Sequence, residues 1–473
     1  MKITNRKYIV KQKTGTVIYI CGCKMIPLYA MLIIVSTSIT IQTIRYDGHQ
    51  VLRLFPSSSE QAKRIKELVN RYGLGVWDSE PTDKSVDIHV QPEILPLFKN
   101  DIKQLQIPYT RWINDIQSLI EQQQSDSKVK DRDLENSVYD SGEFAFSKYN
   151  TFEMITSFLL NLTKNIHFGP SGDQIIVSHQ VIGHTFEGNQ LHLLKIFKDG
   201  PVKKAIFIEG GIHAREWISP AVVVYLTNEL VNNPTRSPVI EDFVDSYDWY
   251  IVPVLNPDGY IYSHTNDRLW RKNRRILENS HDTNFVRIVG SPSNNKDSCS
   301  IGVDVNRNFG YMWDPNNGGS AMPCSESYSG PYAFSELESK AIKTVIEDEN
   351  VNFISYVSFH SYGQRWLYPW AYTSEYTQDV ADLDTGAQLV RAAMRQRYNT
   401  DFLVDSVYNS LYPASGISID YTKGIAGIKY SYTCELRDKN HYGFLLPENK
   451  IIPSCEETMD GINALISFLK TAP

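Results

Sequence analysis

The sequence predicts an α/β protein in two parts, a mixed, twisted β-sheet flanked by helices and, before it, a small α/β open sandwich. Three observations predict this. From Phe144 to the carboxyl terminus, apolar runs of strand length alternate with helical patterns, with no internal repeat. Between His49 and Ile113 the same alternation occurs twice on a smaller scale. Separating them, Gln122 to Glu143 is rich in Gln, Ser, Asp and Lys and has almost no apolar spacing, as expected of an exposed connection.

Taken in order, residues 1–41 read as a leader. Ile26 to Ile41 are mostly apolar, Lys24 and earlier cations precede them, and Ser36, Thr37 and Ser38 supply small residues near the end. The uncharged run is shorter than the roughly 20 residues that span a bilayer. The leader therefore predicts a secreted chain, and left uncleaved it would act as a membrane anchor. Residues 46–124 form the small sandwich. His49–Pro56 alternates as a strand, Ser59–Tyr72 has helical spacing with Ser58 or Ser59 as cap, Val86–Val90 alternates again, Glu93–Leu105 is amphipathic, and Tyr109–Ile113 offers a further strand. In the connection, 125–143, Lys128, Lys130 and Arg132 are expected to form a proteolytic processing site. The large domain, 144–473, follows.

Composition excludes some functions. Among 473 residues, 42% are hydrophobic and 12% aromatic, a globular balance, and the net charge of -7 gives no general basic surface for nucleic acid. Of six cysteines, Cys21 and Cys23 would leave with the leader. The remaining even number suits an oxidising compartment. Cys299 with Cys324 is the favoured pair because it closes a short loop, while Cys434 and Cys455 read equally as a second pair or as buried thiols. Asn161-Leu162-Thr163 is a glycosylation sequon within a helical pattern.

The chemistry is concentrated in Gly210-Gly211-Ile212-His213-Ala214-Arg215-Glu216-Trp217 and in His360. Catalytic zinc takes three protein donors and keeps a position open for water, and His213, Glu216 and His360 meet that demand. Context adds weight. Ala205–Ile208 reads as a buried strand, Gly210-Gly211 as a turn, and Ser219-Pro220 as the cap and first residue of a helix. Ile354–Phe359 is another apolar strand, so His360 should emerge at the same sheet edge, where open α/β sheets bind ligands.

Four further segments accompany these: Leu269-Trp270-Arg271-Lys272-Asn273-Arg274, Gly302-Val303-Asp304-Val305-Asn306-Arg307-Asn308-Phe309, Ala414-Ser415-Gly416 after Tyr412, and Thr433-Cys434-Glu435-Leu436-Arg437-Asp438. Together with His360-Ser361-Tyr362 they resemble, in order, the zinc metallocarboxypeptidases of the carboxypeptidase A/B branch. Gly48-His49-Gln50-Val51-Leu52 and Asp115-Ile116-Gln117-Ser118-Leu119-Ile120 resemble that branch's activation segment. The resemblance implies the carboxypeptidase-like fold, a zymogen, peptide or protein carboxyl termini as substrates, an activating protease as partner, a monomer, and one zinc ion per chain held by His213, Glu216 and His360. That ligand set is the one described for carboxypeptidase A.

By the same resemblance, Asp304 orients His213. Glu435 takes a proton from the metal-activated water and delivers it to the leaving amine. Arg271 stabilises the oxyanion. Asn306, Arg307 and Tyr412 hold the substrate's terminal carboxylate, for which a guanidinium fork is suited, and Ser361 and Tyr362 also bind substrate. Ile419, in Ser418-Ile419-Asp420, matches the pocket-floor position that is apolar in A-type and acidic in B-type enzymes. An apolar floor leaves a buried Lys or Arg uncompensated, so apolar or aromatic carboxyl-terminal residues are expected. A one-residue slip would instead put Asp420 at the floor. Ile417 stands where relatives usually have a small residue and would narrow the pocket; Val407 lines another wall. The turn from Thr422 to Gly427 is one residue longer than in common relatives.

Overall fold

The computed structural model describes residues 43–80, 85–123, 144–169, 171–232, 238–277, 299–439 and 441–472. The leader, the 125–143 connection and its three cations lie outside them. Among the described residues no helix is long and apolar enough to cross a membrane.

The amino-terminal sandwich is a four-stranded sheet of order β2-β3-β1-β4, from β1 (Gln50–Leu54), β2 (Gly75–Glu80), β3 (Ser85–Val90) and β4 (Tyr109–Ile113). Helices Ser59–Tyr72 and Leu95–Gln104 cover one face. Alternation explains the layering, because Leu52 and Leu54 meet Ile65, Leu68, Phe98 and Ile102 of the helices. Ser58 caps the first helix by accepting from the Gln61 amide, and Gly73, left-handed at φ 62, ends it. The sequence reading omitted β2, whose Gly75-Val76-Trp77-Asp78-Ser79-Glu80 lacks simple alternation. A register shift between Val76 and Asp78 explains the broken pattern.

The large domain is a nine-stranded mixed sheet, ordered β12-β11-β13-β10-β8-β9-β7-β6-β5. Its strands are β5 (His167–Phe168), β6 (Gln174–His184), β7 (Gln190–Lys198), β8 (Lys204–Glu209), β9 (Tyr247–Val252), β10 (Phe353–Ser361), β11 (Arg365–Tyr368), β12 (Leu403–Ser406) and β13 (Tyr430–Leu436). The four central strands β13, β10, β8 and β9 run parallel, so their carboxyl ends open on one edge. Each central strand faces two cores. In β8, Ile206 and Ile208 pack with helices Ile218–Asn232 and Ile451–Leu469, whereas Ala205 and Phe207 face the opposite layer containing Ile342, Ile417 and Ile419.

Several expectations need adjustment. The helix after the glycine turn begins at Ile218, before Ser219 and Pro220, and Ser219 is not its cap. Its hydroxyl accepts from the Gly211 amide at 2.9 Å and donates to the Phe359 carbonyl at 2.6 Å. Thr422 belongs to helix Ser418–Gly424 rather than to a turn. Cys299 and Cys324 form the disulfide, while Cys434 and Cys455 are buried free thiols. Asn161 is exposed near the end of helix Phe152–Leu162.

Candidate active site

Two glycines shape the first ligand segment. A Cβ on Gly210 would lie 2.8 Å from Ser219 Oγ and 2.9 Å from Val223 Cγ2, and Gly211 adopts φ +67. The chain can therefore turn sharply from β8 into the loop carrying His213 and Glu216. Ser219, bonded both to Gly211 and to the strand carrying His360, ties the two segments together.

The structure brings His213, Glu216 and His360 to one buried point, with a donor atom of each within 4.8 Å of the others. His213 Nδ1 is 2.8 Å from Glu216 Oε1, and His360 Nδ1 is 3.2 Å from Glu216 Oε2. The two Nδ1 atoms face each other across 3.1 Å. Two nitrogens bound tetrahedrally at zinc distances lie about 3.3 Å apart, so this spacing fits the ion. Each imidazole is held from behind, as ligating histidines commonly are. His213 Nε2 meets Asp304 Oδ1 at 3.2 Å, and His360 Nε2 meets Ser358 Oγ at 2.9 Å and Asn306 Nδ2 at 3.3 Å. Burial, with Arg271 nearby, lowers the pKa of His213, favouring the neutral ring that binds metal. Although burial opposes it, Glu216 remains ionised because His213 and His360 hold its carboxylate.

Asp304 begins the short 3-10 turn Val305–Arg307 and accepts the Asn306 amide. Its other oxygen takes Arg271 Nε and Nη2 at 3.0 and 2.9 Å. One buried carboxylate thus aligns both a ligand and a guanidinium. Burial alone would lower the pKa of Arg271, but Asp304, Tyr412 and Glu216 together outweigh it and keep the guanidinium charged. Arg271 Nη1 also reaches within 3.6 Å of Glu216.

Glu435 lies on β13 in parallel register with His360 on β10 and in antiparallel register with Arg365 on β11. In-register neighbours project to one face, so the carboxylate stands beside the metal-ligand cluster. Burial pushes its pKa up to about 8.

Arg307 is anchored through Nη1 to the Asn306 carbonyl at 2.7 Å and through Nε to the Gly318 carbonyl at 3.1 Å, and Nη2 lies 3.4 Å from the Tyr412 hydroxyl. Asn306 Oδ1 accepts the Ser418 amide at 2.9 Å, connecting this cation to the segment before Ile419. Ile419 is fully buried with Ile417, Val407, Leu411 and Ala414. The Asp420 carboxylate accepts from the amides of Ala371 and Tyr372, and burial pushes its pKa up to about 7.

Ser361 contributes its backbone amide to Glu216 at 3.1 Å. Tyr362 is covered by the amino-terminal sandwich through Trp112, ring centroids 5.6 Å apart, and packs within its own domain on Phe444 at 4.9 Å. The covering surface is mixed. Tyr46, Val51, Trp77, Ile113, Ile116 and Ile120 pack on Leu269, Tyr362, Phe444 and Leu445. Tyr46 donates to Asp267 at 2.5 Å, Arg268 Nε donates to Gln123 at 3.0 Å, and Arg365 Nη2 donates to Asp78 Oδ2 at 3.0 Å. Sequence reading missed Arg365 and Asp78. A charged residue opening the apolar run Arg365-Trp366-Leu367-Tyr368 was the available signal, since buried charges need partners.

A convergent His/Glu/His set at the parallel edge of a mixed sheet, roofed by a separate small domain, defines a latent metal-dependent enzyme. A profile described as "Zinc carboxypeptidase" matches residues 172–461, and one described as "Carboxypeptidase activation peptide" matches residues 52–123. The chain belongs to the zinc carboxypeptidase family, is a zymogen, and takes zinc at His213, Glu216 and His360. It is 42% identical over 295 residues to carboxypeptidase B of Astacus astacus, covering 62% of this chain and 90% of that protein. It is 32% identical over 443 residues to mast cell carboxypeptidase A of Homo sapiens, covering 92% and 97%. Its fold matches the crystal structure of thrombin activatable fibrinolysis inhibitor with a TM-score of 0.74 at 30% identity, covering 90% of this chain and all, 100%, of the other.

Proposed function

We propose that the processed protein removes apolar or aromatic residues from peptide and protein carboxyl termini. The observation that carries this specificity is Ile419, buried in an apolar cluster, while the neighbouring Asp420 carboxylate is engaged by the amides of Ala371 and Tyr372. A lysine or arginine entering there would lose hydration without gaining a carboxylate. Ile417 and Val407 belong to the same cluster and would limit the width of the pocket.

Arg307 and Tyr412 take the terminal carboxylate, with Asn306 fixing the loop behind them, so that only the last peptide bond reaches the reacting centre. His213, Glu216 and His360 would hold the zinc, which when bound would supply a Lewis acid able to acidify water and polarise a carbonyl. Glu435 removes a proton from the attacking water and returns it to the departing amine, serving first as general base and then as general acid. Arg271, held by Asp304, faces the charge that develops on the carbonyl oxygen. Ser361 and Tyr362 line the approach for residues upstream of the bond.

Activation requires a cut in 125–143 and departure of residues 46–124. The leader 1–41 directs secretion, and the enzyme acts as a monomer. Amino-terminal sequencing of the natural product tests the two cleavages. Specificity is tested with processed protein and matched peptides ending in Phe, Leu, Lys or Arg. Faster release of Phe and Leu is expected; faster release of Lys or Arg overturns the pocket assignment.

A further inference from the structure

The sandwich sets an acidic side chain, that of Asp78, against Arg365, which lies in register with Glu435 on the neighbouring strand. Asp78 and Arg365 are both buried and pair through two contacts, Nη2 to Oδ2 at 3.0 Å and Nη1 to Oδ1 at 3.4 Å. The enzyme backbone accommodates this cation specifically. Gly363 adopts φ +139, and a Cβ there would lie 2.2 Å from Arg365 Nη1, inside the space the guanidinium fills. On the other partner, the register shift between Val76 and Asp78 breaks strand alternation next to Trp77, which packs on Phe444 at 5.1 Å.

Strand register says which substrate residue would meet Arg365. His360, Glu435 and Arg365 lie in register on β10, β13 and β11, three adjacent strands, and so share one face in that order. Glu435 serves the carbonyl of the penultimate substrate residue, the carbonyl that is attacked. The next position outward, beyond Glu435 from the metal ligands, is Arg365. When the sandwich departs, Arg365 loses the Asp78 carboxylate.

We propose that Arg365 forms a subsite for an acidic side chain, that of aspartate or glutamate at the penultimate position of the substrate, and that Asp78 occupies this subsite in the zymogen. The proposal rests on the exopeptidase reading above. It adds a second electrostatic determinant to that reading. Arg307 selects the terminal carboxylate, and Arg365 selects a carboxylate one residue upstream. A guanidinium already shaped to pair a carboxylate in a protected site supplies directional, charge-assisted hydrogen bonds that the isosteric amide of glutamine cannot match.

The test uses processed, zinc-loaded protein and three peptides that share one carboxyl-terminal residue and differ only in a penultimate Glu, Gln or Ala. We expect kcat/KM for Glu to exceed that for Gln by about tenfold or more. In Arg365→Gln this ratio should fall to about one, and Arg365→Lys should retain part of it. Because the ratio is taken within each enzyme, it does not depend on a variant's absolute rate. If Arg365→Gln fails to fold, Arg365→Lys carries the test: its Glu-to-Gln ratio should fall below that of the wild type, and an unchanged ratio overturns the subsite. Wild-type turnover with no preference for Glu overturns the subsite and leaves the exopeptidase reading intact. An acidic preference that survives in Arg365→Gln also overturns it. Failure to cleave any of the three peptides overturns the exopeptidase reading, and the subsite falls with it.

Discussion

Replacing Asp78 by asparagine in the full-length, unprocessed chain should loosen the sandwich without altering an enzyme residue. The side chains of Arg365 and Asp78 retain only 2% and 7% of their exposure. Removing one partner of such a pair typically costs about 3–5 kcal/mol, because the remaining charge stays desolvated. The lower figure applies here, since an amide oxygen at the same position still accepts a hydrogen bond. About 3 kcal/mol, at 1.4 kcal/mol per factor of ten, raises the open fraction of the zymogen roughly a hundredfold. The assay is peptide hydrolysis by unprocessed protein, divided by that of the same protein after processing. The identical substitution in an Arg365→Gln background completes a double-mutant cycle, and there its effect should shrink to less than about 1 kcal/mol. Equal residual activity for the wild type and Asp78→Asn would refute the reasoning. So would an equal effect of the substitution in both backgrounds, which would assign the loss to packing rather than charge.

Other consequences follow from residues away from that pair. Burial pushes the Glu338 carboxyl up to about 8, with Asn273 donating to one oxygen at 3.1 Å. Because the folded pKa is raised, its contribution is greatest below the ordinary glutamate range and is lost as pH rises through about 8. Glu338→Gln should therefore flatten the fall in denaturant stability between roughly pH 5 and 8 by a few kcal/mol; an unchanged slope would count against a buried protonated carboxyl. Cys299 and Cys324 close a loop of sequence separation 25, so replacing both by serine should cost about 3 kcal/mol in chemical denaturation. No measurable loss would mean that the crosslink restricts the unfolded chain little. Metal analysis should find one zinc per processed chain, and chelation should abolish hydrolysis until zinc is restored. His213→Ala should lose both metal and activity, because two donors remain where zinc takes three protein ligands; retained stoichiometric zinc would contradict the assigned site.

What was legible in the sequence depended on how far apart the cooperating residues lie. The strand before Gly210, the ligand pair His213 and Glu216, and the capped helix beginning at Ser59 are local patterns, and the structure realises each. His360 was also accessible, because an apolar run ending in histidine predicts a ligand at the strand edge. Ser219 was misread for the opposite reason. A serine before proline signals a helix start, but its hydroxyl joins Gly211 to Phe359, a residue 140 positions away. β2 was missed because its register shift breaks the alternation by which strands are found. Arg365 was harder still, since its partner Asp78 lies 287 positions earlier in the chain.

That last distance also explains why the catalytic motifs and the acidic subsite differ in visibility. The metal site follows from three residue types that can serve few other purposes together, so the pattern suggests the chemistry before the fold is known. A buried arginine has many uses, and only its carboxylate partner narrows them. In this chain the partner is supplied by the segment that must leave. A purely structural cation gains nothing lasting from a carboxylate that departs on processing. Placement of Asp78 on the departing β2 instead makes the pair reversible, which is the property required of a subsite that must exchange one carboxylate for another.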